Sequence, residues 1–312
     1  MQTDNKKVIV ICGPTASGKT EVSIELSKLI DIEIISADSR QIYKLLNIGT
    51  AKPTKNELEA VKHHFVDFLF PDEEYNAGKF GSDAYEIVNK IYENNKIPVI
   101  VGGAGLYIKA LCEGFFDDTS IPEEIYKKIR KELSIELETK GIEELYNELK
   151  LVDNKSYILY NDKNPRRILR ALEYYRVTGV AFSEAHKTNQ IYRNILPYYF
   201  CILHPRDILY NRINDRVIKM IDMGLIEEVT NILNLGYDKT LNSLNTVGYA
   251  EIITFLDGNL NLDETIIDIQ KNTRRYAKRQ LTWFNKIPNM NYISSKYKSY
   301  EIAEFILKEF IN

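Results

Sequence analysis

The segment Lys7-Val8-Ile9-Val10-Ile11-Cys12-Gly13-Pro14-Thr15-Ala16-Ser17-Gly18-Lys19-Thr20 constrains this chain more than any other. An apolar run enters a glycine-bounded loop, and the loop opens directly into a helical pattern. Residues 13 to 20 satisfy G-x-x-x-x-G-K-[ST] at every fixed position, which reads as a P-loop. Gly13 and Gly18 allow backbone N–H groups to turn inward around a phosphate chain, and Pro14, Thr15, Ala16 and Ser17 complete the loop. Lys19 adds a point charge, Thr20 can place its hydroxyl on Mg²⁺, and the helix N-terminus adds partial positive charge. An ordinary glycine turn could occupy the same place, but strand, loop and helix arrive in the order that phosphate binding requires.

That motif predicts an α/β protein with a doubly wound parallel sheet. The expected strands are 8–12, 32–35, 97–101, 198–203 and 291–294. The expected helices are 19–29, 80–92, 206–221, 223–235, 246–256 and 262–286, with a last amphipathic helix at the C-terminus. Residues 47–76 read as an irregular connection of functional length. From about Pro122 to 190 the strand signal disappears. Ile125, Ile129 and Leu133 form one helical stripe, and Ile142, Leu145 and Leu149 form another after Gly141. The expected division is therefore a P-loop core of 1–120 and 191–312, interrupted by a helical insertion at 121–190.

With 312 residues and 44% apolar composition the chain can bury a sizeable core. Forty-one Lys and Arg against 44 Asp and Glu give a net charge of −3, so nucleic-acid binding must rest on local patches. Three widely spaced cysteines suit a reducing compartment, and no Cys/His spacing suggests structural zinc. No apolar run reaches membrane-spanning length and no signal-peptide pattern is present. A soluble, cytoplasmic protein is expected.

Asp38 follows the second strand and shares a sheet edge with the loop, where an open α/β sheet binds ligands. It can act as a general base or hold Mg²⁺ through water, or it can cap the next turn. Gln41 can read a base edge or simply sit at the surface. Arg212 and Arg216, one helical turn apart, suit a phosphate clamp or a salt bridge. His63-His64 can touch a ligand or belong to a polar loop. Lys163, Arg166, Arg167 and Arg170 form one basic cluster. Residues 271–286 form a second, with six basic residues, no acidic one, and Tyr276, Trp283 and Phe284 interleaved. Such a tract binds nucleic-acid backbone, or it is a solvated face with its aromatics in the core.

Taken together the motifs resemble the bacterial tRNA dimethylallyltransferase family, also called tRNA isopentenyltransferases or IPP transferases. The resemblance covers nearly the whole chain. It rests on the P-loop, Asp38-Ser39-Arg40-Gln41-Ile42-Tyr43, Ile48 to Pro53, His63-His64 and Val101 to Ala110. It continues through Pro165 to Glu173, Val247-Gly248-Tyr249 and Arg274 to Phe284. The stretch Y-A-K-R-Q-x-T-W-F together with D-S-x-Q is its most specific part. The chain also ends without the zinc-finger tail of eukaryotic relatives, which favours the bacterial form.

The resemblance implies transfer of a dimethylallyl group from dimethylallyl diphosphate to N6 of adenosine 37, beside the anticodon of tRNA. By the same resemblance the P-loop holds the diphosphate, and Lys19, Arg216 and Thr20 with Mg²⁺ stabilise the leaving group. Asp38 removes the proton and Gln41 reads the flipped base. Ser39, Arg40, Ala104, Tyr126, Arg166, Arg167, Ile168, Leu169, Arg170, Arg274, Arg275, Lys278 and Arg279 are the implied tRNA contacts. The insertion is implied to reach the anticodon stem-loop, and a monomer is expected. Two positions depart from the family pattern. Ala104 stands where the family usually has threonine, the loss of one hydroxyl worth ~2–4 kcal/mol if nothing replaces it. Tyr126 stands where arginine is frequent. A P-loop small-molecule or nucleotide kinase is the alternative; it explains Gly13–Thr20 and Asp38 but not the acid-free helix. An RNA-binding NTPase-like switch leaves Asp38 and residues 102–105 without a task.

Overall fold

A computed structural model describes residues 5–115, 122–188 and 193–312. In chain order the elements are β1 (Lys6–Cys12), α1 (Lys19–Ser27), β2 (Ile32–Ala37), α2 (Lys55–Ala60), β3 (His63–His64) and α3 (Ala77–Glu93). Then follow β4 (Ile97–Gly102), α4 (Gly105–Cys112), α5 (Glu123–Val152), α6 (Asn154–Leu159), α7 (Pro165–Thr178) and α8 (Phe182–Thr188). The last third comprises β5 (Ile195–Leu203), α9 (Arg206–Asp222), α10 (Leu225–Asn234), α11 (Tyr249–Leu256), α12 (Leu262–Phe284), β6 (Asn291–Ser294) and α13 (Ser299–Ile311).

The six strands form one sheet in the order β3-β2-β4-β1-β5-β6, with every neighbouring pair parallel. Strand β1 is central. Its Val8 to Cys12 are fully buried, as a continuous apolar run must be when helices cover both faces. Ile9 and Ile11 pack with Val99, Phe200 and Ile202 beneath Val22 and Leu26 of α1 and Ile306 of α13. On the opposite face Phe80 of α3 stacks on Tyr107 of α4, with ring centroids 4.3 Å apart. A second core joins Ile42 and Leu46, just past β2, to Val217, Val229, Tyr249, Ile252 and Ile269 of α9 to α12.

Two elements lie inside the stretch expected to be irregular. Helix α2 is held by a capping box in which Thr54 and Glu57 satisfy each other's backbone N–H groups. Strand β3 is two residues long and pairs with Ile34 and Ile35 of β2. Its His64 Nε2 lies 2.7 Å from a carboxylate oxygen of the buried Glu33. Strand β5 starts at Ile195, three residues earlier than the apolar run predicts.

The chain divides into two compact units, Met1–Cys112 with Asn194–Asn312, and Glu113–Arg193. The second is helical and has its own core of Leu133, Leu145, Leu149, Ile168 and Leu172. Gly141 interrupts α5 with φ 79°, between the two stripes that the periodicity predicts. Arg176 clasps Glu136 at 2.6 Å and Glu148 at 2.7 Å, and its hydrogen bonds hold the Glu136 carboxyl down to about 2. Among the described residues no helix is long and apolar enough to cross a membrane.

Candidate active site

The carboxyl ends of β1, β2 and β4 open onto one cavity of about 920 Å³ in the first unit. Thr15 to Thr20, Asp38, Gly103, Arg216 and Tyr276 line it. The loop between β1 and α1 has the conformation its glycines permit. Gly13 has φ +142°, and an added Cβ would lie 3.0 Å from the Ile202 carbonyl oxygen. Gly18 has φ +92° at the start of α1, which leaves the helix's first N–H groups facing the cavity. Lys19 Nζ donates to the carbonyls of Gly13 at 3.0 Å and Pro14 at 2.8 Å.

Two further cations brace the loop from α9. Arg212 Nε donates to the Ala16 carbonyl at 2.9 Å, and Arg216 reaches Thr15 Oγ1 at 3.4 Å. Burial, then the charge of Arg216, lowers the Lys19 ammonium to about 8, while Asp38 opposes the shift. Burial also lowers Arg216, again against Asp38. Two half-buried cations and one carboxylate therefore face one another across the cavity. An anion bound between them would relieve the mutual repulsion of the cations.

Asp38 stands where the strand order predicts, at the end of β2. Its Oδ1 accepts from Arg40 N at 2.8 Å and Gln41 N at 3.3 Å. The turn-capping use weighed for it is thus real, and it coexists with a position on the cavity wall. Gln41 lines the same cavity. Its Oε1 accepts from Ser36 Oγ at 3.2 Å, and its Nε2 donates to the Ala51 carbonyl at 3.0 Å and the Thr50 carbonyl at 3.3 Å. Both ends of the amide thus engage the wall of the cavity that the residue lines. Arg40 donates to the Asn242 carbonyl at 2.7 Å, and Ala104 N–H donates to the Ala37 carbonyl at 3.0 Å.

Sequence reasoning missed Gln280. From α12 its Oε1 accepts from Thr15 N at 2.9 Å, and its Nε2 donates to the Gly103 carbonyl at 3.1 Å. A Cβ on Gly103 would lie 2.0 Å from that Nε2, and one on Gly105 would lie 2.1 Å from the Trp283 indole. The small-residue loop is bare so that α12 can lie directly on it. We expect Gln280→Leu to orphan a loop donor and a buried acceptor, costing ~1–3 kcal/mol. The check is a lower urea midpoint at unchanged slope; an unchanged midpoint would show that the bridge contributes nothing.

Glu228 was also missed. It accepts from the backbone N–H groups of Asn47 at 3.0 Å, Ile48 at 2.9 Å and Gly49 at 3.3 Å. The buried Tyr249 hydroxyl donates to it at 2.6 Å. This explains two motif stretches at once, because Gly49 has no Cβ against the Tyr249 ring, where one would lie 2.4 Å away. The only sequence signal was that the two stretches occur together.

The basic face of α12 is partly satisfied within the protein. Arg274 donates to Asn214 Oδ1 at 2.6 Å, Arg275 to Asn272 Oδ1 at 3.3 Å, and Lys271 pairs with Asp268 at 3.0 Å. Lys278 and Arg279 are exposed, and Arg279 lies 5.7 Å from the Tyr276 ring. Phe284 is core, while Trp283 is 36% exposed. In the helical unit Arg166 and Arg167 are exposed and Arg170 pairs with Glu173 at 3.0 Å. Two implied contacts there are corrections at the side-chain level. Ile168 is fully buried, because the α7 stripe turns Ile168, Ala171 and Leu172 inward, and Tyr126 of α5 is buried with the Arg170 guanidinium 5.3 Å from its ring. Leu169 is half-buried beside the same core.

A parallel sheet with this loop at its central strand and cations converging on it defines a P-loop phosphate-binding α/β protein. Comparison with known proteins narrows the class. The IPP transferase family model matches residues 41–287, and the chain belongs to that family. It is 41% identical over 307 residues to the tRNA dimethylallyltransferase of Alkaliphilus oremlandii, covering 98% of this chain and 97% of that one. Among solved structures it resembles a tRNA delta(2)-isopentenylpyrophosphate transferase from Staphylococcus epidermidis with a TM-score of 0.70 and 34% identity, covering 98% and 99% of the two chains. It also resembles a eukaryotic dimethylallyltransferase acting on tRNA, with a TM-score of 0.80 and 26% identity, covering 96% of this chain and 75% of that one.

Proposed function

We propose that this protein transfers a dimethylallyl group from dimethylallyl diphosphate to N6 of adenosine 37 in tRNA and releases diphosphate. The observation that carries this reading is the convergence of Lys19, Arg216 and Asp38 on one cavity at the P-loop. The diphosphate lies in the loop. Lys19 and Arg216 take up the negative charge that develops as the allylic C–O bond breaks. The N6 lone pair forms the new C–N bond, and the proton it sheds passes to Asp38. The adenosine is flipped from the anticodon loop to reach the cavity.

The residues present also fit Mg²⁺. Among the described residues no group of three His, Cys, Asp or Glu could hold a metal ion. Mg²⁺, however, characteristically takes few protein ligands and completes its shell with phosphate oxygens and water. Thr20, in the first turn of α1 and on the cavity wall, would hold it, with Asp38 reached through water. When bound, the ion neutralises charge on the diphosphate.

The tRNA is held by the exposed cations of α12 and by Arg166, Arg167 and Arg170 of the helical unit, which meets the anticodon stem-loop. The protein works in the cytoplasm as a monomer. Neutralising Arg274, Arg275 and Lys278 together is expected to weaken tRNA binding and to reduce the slope of log Kd against log salt by about 2–3. A slope that does not move would remove this helix from the interface. The reaction itself is tested with purified protein, Mg²⁺, labelled dimethylallyl diphosphate and unmodified tRNA with adenosines in the anticodon loop. Label should appear in N6-prenyladenosine. Phosphate transfer from ATP to a small acceptor, with no label in tRNA, would sink the reading.

A further inference from the structure

Cys12 and Cys201 are register partners on the adjacent parallel strands β1 and β5, so their side chains lie side by side on one face of the sheet. Both are free, fully buried thiols, and each perturbs the other's proton affinity. The Cys12 Sγ lies 3.8 Å from Sδ of Met290, a half-buried residue in the turn before β6. Neither the transfer chemistry nor the tRNA surfaces use any of these sulfurs.

We propose that Cys12, Cys201 and Met290 form a binding site for a soft, monovalent d¹⁰ ion of the Cu(I) class. Two thiolates and a thioether are the donor set that selects such ions over Mg²⁺ and other hard cations. The Cys12–Met290 separation of 3.8 Å agrees, since two sulfurs bound to one ion at ~2.3 Å and opened to trigonal or tetrahedral angles lie ~3.8–4.0 Å apart, and the register pairing of Cys12 with Cys201 brings the third sulfur to the same face. The sulfurs come from three different stretches of chain that the fold has already assembled, so little reorganisation is needed. Binding involves no redox step. Cu(I) enters and remains as Cu(I), each thiol that ligates it loses its proton to solvent, and a Cu–S bond replaces the S–H bond. The filled site, two thiolates and one monocation, carries one net negative charge. The Lys19 ammonium can offset it, because negative charge on either thiolate would favour the protonated amine. The site thus adjoins the P-loop without sharing a ligand with it.

The test is competition for Cu(I) between the reduced protein and the chelator bathocuproine disulfonate under anaerobic conditions, followed by the colour of the chelator complex. Wild-type protein is expected to withdraw one equivalent. Met290→Leu, nearly isosteric and half-buried, should weaken the withdrawal by about tenfold, and Cys201→Ser should abolish it. Cys112→Ser should bind as wild type does. Thiol counting on the denatured, non-reduced protein runs alongside and should find all three cysteines reactive. Failure to withdraw copper with three thiols reactive would overturn the proposal. So would undiminished binding by Cys201→Ser, loss of binding by Cys112→Ser, or a Cys12–Cys201 disulfide in place of the free thiols. None of these readouts depends on prenyl transfer, so the site and the proposed activity stand or fall separately.

Discussion

Lys19→Met is expected to lower the rate of prenyl transfer by ~10³-fold, the loss typical of removing one preorganised charge from a transition state. Methionine keeps the length and apolar stem of lysine, so the buried space stays filled and the lost ammonium is what is measured. That ammonium sits among the Gly13 and Pro14 carbonyls, beside Arg216, at the point where diphosphate charge must grow. Its lowered proton affinity makes a second, independent reading possible. In the proposed reaction the charged form is the one that holds diphosphate. In the free enzyme kcat/KM should therefore be full below about 8 and decline as pH rises through that value, because the ammonium is then lost. A flat profile from pH 7 to 9.5 would mean that another cation carries the diphosphate.

Asp38→Asn should slow the chemical step by ~10²-fold or more while leaving tRNA affinity nearly intact. The choice of asparagine matters because Asp38 has two tasks. Its Oδ1 accepts the Arg40 and Gln41 N–H groups, and an amide oxygen can do the same. Asparagine cannot accept the proton of an exocyclic amine. If Asn keeps the rate and only Ala loses it, Asp38 is a turn former and the base lies elsewhere. The Asn variant also removes the charge that props up Lys19, so its pH decline should begin lower than in the wild type.

The parts of this molecule that could be read in the sequence are those whose cause is local. Val8 to Cys12 form an apolar run too short for a helix, and Gly13, Gly18 and Lys19 follow at the spacings of a phosphate-binding loop. Gly141 separates two helical stripes. Strand β3 was hidden because two histidines carry no period, and pairing with Ile34 and Ile35 is what makes them a strand. Gln280 was hidden for a different reason. Its partners Thr15 and Gly103 lie 265 and 177 residues away along the chain, and nothing beside residue 280 announces them. Ile168 shows the opposite failure: the resemblance implied a tRNA contact, but its place on the inward stripe of α7 makes its side chain core.

The contact from Gln280 to Thr15 joins residues 265 positions apart. On the ribosome the phosphate loop therefore emerges long before the residue that closes it. A nascent chain ending before α12 would carry every letter of the motif, yet Thr15 N–H and the Gly103 carbonyl would have no partner. Closure of the loop is thus deferred until nearly the whole polypeptide has been made, and it arrives with the same helix that presents Lys278 and Arg279 to solvent.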